Sequence, residues 1–224
     1  MVAFSFNFYG YDFEHGIMIL MDSLLAATDA LKAKRVKTAE DWAAYEAGVK
    51  EGSVKEVEER DDETGQLIWN QSQFYEHDLS LIDENMDVLR KTHVIAAYHL
   101  WERTIRLWTK IDGNENFAKL AEAGVAAGLT IDPRMEAVSN LNNTLKHNSV
   151  KAGPKLLEVW PELFPDGYAV MLKRRLYRAT KLAEEGMGAG PAPIDWFAAV
   201  TITPAQMDDI FAAIRASGPK ANGN

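Results

Sequence analysis

There is no cysteine among the 224 residues. That absence excludes a disulfide framework, a thiol nucleophile and a thiolate metal site, and it suits a reducing compartment, so the expectation is a cytoplasmic protein. No apolar run approaches the roughly 18 residues needed to cross a bilayer, and the phenylalanine-rich start lacks the basic flank of a signal peptide, so no membrane partner is expected. No phosphate-binding glycine loop, Gly-x-Ser-x-Gly elbow or dinucleotide fingerprint occurs, and no cofactor is expected. Internal repeats and low-complexity tracts are absent as well.

Positive charge is also in short supply. The net charge of -9 argues against a protein that coats nucleic acid indiscriminately, because Lys and Arg supply most of that affinity. The deficit is uneven. Up to Leu89, 7 Lys and Arg stand against 19 Asp and Glu; from Arg90 onward there are 17 against 14. The acidic half and the faintly basic half are suited to different partners.

What the chain has in quantity is apolar surface at helical spacing. With 47% hydrophobic residues it can bury one good core. From about Leu79 to Ile111 runs a long helical segment. Val94, Tyr98, Trp101, Ile105 and Trp108 recur at alternating four- and three-residue steps, flanked by Leu100, Leu107 and Ile111. So wide an apolar arc implies at least two neighbouring helices. Leu79, Ile82, Met86 and Leu89 keep the rhythm upstream, so the helix begins as early as Trp69.

The fold expected is therefore all-α, a helical bundle around this central helix. Residues 1–14 alternate Val2, Phe4, Phe6 and Phe8 with smaller or polar residues and read as a short extended N-terminal arm. A bundle follows over 15–185. Within it Ile17, Leu20, Met21, Leu24, Leu25 and Leu31 mark a helix to about Lys34, and Thr38 with Asp41 opens a second, with Trp42, Tyr45 and Val49 inward. Gly52 to Gly65 is a solvated loop or weak hairpin. Asp132-Pro133 starts a helix carrying Met135, Val138, Leu141 and Leu145, Gly153-Pro154 closes that segment, and Leu156 to Phe164 is an irregular crossing. Tyr168 to Glu185 is helical. Residues 186–217 hold a linker and a last helix opened by the capping box Thr203-Pro204-Ala205-Gln206, and 218–224 form a disordered tail.

Candidate chemistry gathers at the end of the Asp132 helix. Glu136, Asn140, Asn143 and His147 fall on one face, opposite the apolar one. Two readings remain open at this point: a polar site, or Asn142, Asn143, His147 and Asn148 simply terminating a helix, which asparagine favours. His99, Arg103, Arg106 and Lys110 share the polar face of the central helix, and Arg174, Arg178 and Lys181 share a face of a later one; either stripe could track a phosphate backbone. His99 and Glu102 lack the paired Glu-before-His arrangement of a di-metal bundle, so no metal is expected.

The run Leu141-Asn142-Asn143-Thr144-Leu145-Lys146-His147-Asn148, behind a long aromatic helix, resembles the motif of the HEPN superfamily: Arg, usually then Asn, three variable residues, His. The resemblance spans roughly Leu79 to Gly153. His147 matches the family histidine and Asn143 its asparagine; the family arginine would fall at Asn140, Leu141 or Asn142, none of them cationic. The resemblance implies a helical bundle, a homodimer, and RNA binding or weak metal-independent RNA cleavage in bacterial defence or stress response. His147, Asn143 and Lys146 would then be catalytic, and Asn140, Asn142, Asn148, Arg103 and Arg106 would contact substrate. The alternative is a non-catalytic helical dimerisation or adaptor protein.

Overall fold

In the computed structural model, which describes residues 6–113, 115–187 and 190–221, the chain is helical almost throughout. The elements are α1 (Phe8–Glu51), β1 (Glu58–Arg60), β2 (Leu67–Asn70), α2 (Gln71–Thr109), α3 (Phe117–Ala126), α4 (Met135–His147), α5 (Ala152–Val159), a 3-10 turn (Pro161–Leu163), α6 (Tyr168–Glu184), α7 (Trp196–Ala199) and α8 (Pro204–Ala216). The all-α expectation is correct, with one small antiparallel pair, β1 against β2, as the sheet among the described residues. The chain divides into two compact units, one of Met1–Met21 with Lys91–Asn224 and one of Asp22–Arg90. This division does not follow the boundaries at 15, 186 and 218 read from the sequence.

The first unit holds the core. Val94, Tyr98, Trp101 and Ile105 of α2 are buried, as their spacing predicts, while Trp108 is only half-buried and Leu107 is exposed. Leu120 of α3, Met135, Val138 and Leu141 of α4, and Ile210 and Ile214 of α8 are fully buried in the same unit. Burial of each such side chain contributes about 1.5–3 kcal/mol. Ser217 ties three elements together: its carbonyl accepts from the Trp101 indole at 2.9 Å, and its hydroxyl accepts from the Asp132 amide at 2.9 Å while donating to the Ala213 carbonyl at 2.7 Å. Helix α8 opens with the expected capping box, Thr203 and Gln206 exchanging side-chain to backbone bonds at 2.8 and 3.2 Å.

Three expectations at the chain ends and in α1 are corrected. The arm proposed over 1–14 is helical from Phe8, because Asn7 caps α1: its side chain accepts from the Gly10 amide and its carbonyl from the Tyr11 amide. Val2 and Phe4 lie outside the described residues. Helix α1 does not break near Thr38; no Gly or Pro interrupts residues 17–47, and Lys37 pairs with Asp41 one turn on at 2.8 Å. The tail expected to be disordered over 218–224 is instead packed as far as Ala221, residues 222–224 lying outside the described ones: Gly218 and Pro219 are buried, and the Ala221 carbonyl accepts from the Asn7 amide at 2.9 Å. Gly218 lies so close to the Phe13 ring that a Cβ there would overlap it.

Helix α4 starts two residues later than Asp132-Pro133 suggests, with the Asp132 carboxylate accepting from the Arg134 amide and guanidinium. Gly153-Pro154 does not close the segment. Both lie in the first turn of α5, where proline's missing N–H is harmless, and it is Asn148, left-handed at φ 48°, that ends α4.

The second unit is slighter. Arg35 of α1 forms a two-pronged pair with Asp83 of α2 at 2.8 and 3.3 Å, and Tyr45 and Tyr75 pack ring to ring at 6.0 Å. The segment after Gly52 is the hairpin of the two alternatives. Its turn is held by Asp61, whose carboxylate accepts from the amides of Glu63 and Thr64 and from the Thr64 hydroxyl, which lowers its pKa.

Candidate functional site: a polar cavity between α2 and α4

The apolar face of α4 turns into the core, so its other face lines an open cavity of about 820 Å³. Glu136, Asn140, Asn143 and His147, read from the sequence as one face, all line it, joined by Asn142 and Lys146. From α2, successive turns present Tyr98, His99, Glu102 and Arg106 to the same space. The start of α3, Glu115 to Ala118, and Lys155 of α5 complete the wall. Tyr98 and Ser139 are the seam between the two walls: the tyrosine hydroxyl donates to the Ser139 hydroxyl at 2.9 Å. Burial pushes the Tyr98 pKa up to about 12, the Ser139 bond opposing it, so this phenol stays protonated and structural near neutral pH.

The imidazole of His147 is exposed, not sealed beneath apolar side chains. Arg106 is fixed in the wall of the cavity. Its guanidinium donates to the carbonyls of Gly113 and Glu115, the latter at 2.9 Å, and approaches Glu102 at 3.9 Å. These bonds fix its plane and leave other N–H donors free of the two carbonyls. Across the Glu102 carboxylate, His99 Nδ1 lies 2.8 Å from Oε2. A carboxylate accepts only, so His99 carries its proton on Nδ1 and leaves Nε2 as the basic nitrogen.

The charges balance: Arg106, Lys146 and Lys155 face Glu102, Glu115 and Glu136. A cavity of this kind recognises a polar ligand by the placement of its charges rather than by net attraction. Asn142 stands apart. It is 2% exposed, lines the cavity, and its Oδ1 has no hydrogen-bond partner. An unsatisfied buried acceptor costs about 1–3 kcal/mol, so Asn142 is a point of stored cost in the cavity wall.

Two expected contacts do not belong here. Asn148 is committed elsewhere: its side-chain oxygen accepts from the Trp196 amide at 2.6 Å, fastening the end of α4 to α7. Arg103 points away from this cavity and lines a shallower hollow with Gly16, Ile19, Leu20, Ala96 and Leu100. Conversely, His99, Glu102 and Lys155 join the site without having been singled out for it. The His99-Glu102 spacing is visible in the sequence, yet only packing tells a cavity-facing pair from a surface one.

No group of three or more metal-ligating side chains converges among the described residues, and no described helix is long and apolar enough to cross a membrane. Comparison with protein-family models, with curated proteins and with solved structures finds no match.

Proposed function

We propose that the cavity binds single-stranded RNA at a phosphodiester and cleaves it without a metal ion, in the manner the HEPN-like motif implies and in a bacterial defence or stress setting. The observation that carries this reading is that one cavity joins His147 and Asn143 of the motif with Arg106 of α2, a cation the motif itself lacks. Arg106 would neutralise the phosphate oxygens, with Lys146 beside His147 as the second positive group. His99, oriented by Glu102, would take the proton from the ribose 2′-hydroxyl as it attacks phosphorus. His147 would give a proton to the departing 5′-oxygen, and Asn143 would orient that imidazole. The bond formed is 2′-O to P, the bond broken is P to 5′-O, and the product is a 2′,3′-cyclic phosphate.

The test is cleavage of labelled single-stranded RNA in EDTA. Parent protein should yield cyclic-phosphate ends; His147→Ala should lower the rate at least about 100-fold, the usual worth of a positioned acid or base. Arg106→Lys should not restore Arg106→Ala, because a point charge lacks the planar fork. An absence of cleavage by the parent, or full activity in His147→Ala, refutes the reading.

A second reading, a non-catalytic homodimerisation or adaptor protein, draws on the apolar side chains left in solvent on the first part of α1: Phe8, Tyr9, Tyr11, Met18 and Ile19. Met21 and Leu25, expected inward, are among the exposed residues. So broad an apolar display suits a second copy of the chain. Sedimentation equilibrium decides it: a concentration-independent monomer excludes the dimer.

A further inference from the structure

Helix α6 carries five cations in nine residues: Lys173, Arg174, Arg175, Arg178 and Lys181. In a chain with a net charge of -9 such a cluster would be expected to be neutralised by neighbouring carboxylates. It is not. Among the described residues no carboxylate pairs with Lys173, Arg174, Arg175 or Arg178, and Lys181 reaches only Glu185, at 3.9 Å. All five are exposed. Leu172 is the buried residue of this helix, with Leu176, Ala179 and Ala183 half-buried on the same side, so the opposite face is bare. Between the cations stands Tyr177, 69% exposed, with Val170 and Met171 more than half exposed.

We infer that the outer face of α6 is a second RNA-binding surface, distinct from the cavity, which holds the sugar-phosphate backbone of a single strand through its unpaired cations and stacks a base on Tyr177. The choice of RNA as the polyanion rests on the function proposed for the cavity; the surface itself rests on α6. From Lys173 to Lys181 the helix advances about 12 Å, which matches three or four phosphates at about 3.4 Å per nucleotide along a strand. An exposed aromatic among cations is the combination that single-strand binding uses, since every base has a face to stack. A membrane surface fits less well. Helices that lie on lipid gather their apolar side chains on one outward face, whereas the apolar stripe of α6 is turned inward and its exposed apolar residues are interleaved with charge.

The experiment measures binding of the full chain to a fluorescent 15-nucleotide RNA by anisotropy, across salt, for the parent and for the fourfold variant Lys173→Gln, Arg174→Gln, Arg175→Gln, Arg178→Gln. Four phosphate contacts on a single strand give a log-log salt slope of about -2.8, so raising salt from 50 to 200 mM should weaken the parent about 50-fold more than the variant. Tyr177→Ala should weaken binding without changing the slope. Cleavage of a dinucleotide, whose single phosphodiester is the one held in the cavity, should be unchanged in the fourfold variant. Equal slopes for parent and variant, no RNA binding by the parent, or binding to anionic phosphatidylserine vesicles in place of RNA each overturn the inference. Failure of the cavity's proposed chemistry shows separately, as absent dinucleotide cleavage, while the slope comparison still decides the role of α6. Circular dichroism confirms that the variant folds, since none of the four side chains is buried.

Discussion

Replacing Asn142 by leucine should make the protein more stable. The asparagine is buried, keeps an unpaired Oδ1 and lines the cavity. Leucine has the same branched shape, a larger volume and no oxygen to desolvate. Removing the orphan acceptor returns about 1–3 kcal/mol, against an overpacking cost of about 1 kcal/mol, the low end of the range because the site borders an open cavity. The expected balance is about 1 kcal/mol of stabilisation, a rise in Tm of roughly 2–4 °C for a chain of this length. Calorimetry of parent and variant measures it. A lower Tm would mean that the amide is satisfied in the folded protein.

Other consequences can be checked directly. Gly153→Ala drives a Cβ into the Trp196 indole, which Asn148 already pins through its amide, so a destabilisation of at least about 1–3 kcal/mol in urea unfolding is expected; an unchanged midpoint would refute the close approach. Asp132 has its pKa held below the usual carboxylate range, chiefly by its bond to the Arg134 guanidinium and further by the Arg134 amide. A depressed carboxylate contributes stability that is present above the ordinary range and lost as pH falls through the folded value. The stability gap between parent and Asp132→Asn should therefore be full at neutral pH and close below about pH 4. A gap that widens on acidification would reverse the sign of that argument.

Much of the fold is legible in the residues because its signals are local. The stripe Val94, Tyr98, Trp101, Ile105 is buried throughout, and Thr203 to Gln206 caps α8 as those side chains dictate. The errors have local causes too. The aromatic alternation of the first residues suggested an extended arm, but Asn7 starts a helix one residue before Phe8. Thr38 looked like a cap, yet with no breaker nearby the helix runs through it. The final segment is polar and glycine-containing, and nothing local reveals that Gly218 fits against Phe13, more than two hundred residues away along the chain.

The candidate site shows the same limit. Glu136, Asn140, Asn143 and His147 had to share a face once α4 formed, because 3.6 residues per turn puts them there. That Arg106 and the His99-Glu102 pair of α2 face those residues was not implied by any spacing, nor was the withdrawal of Asn148 to hold Trp196. The amino-acid sequence by itself determined most of the helices, the inward stripe of α2 and the polar edge of α4, since each depends on neighbours within a turn or two. Only the tertiary structure decided which edges confront one another, because that follows from how Tyr98 and Ser139 seat α2 against α4, a contact between residues 41 positions apart.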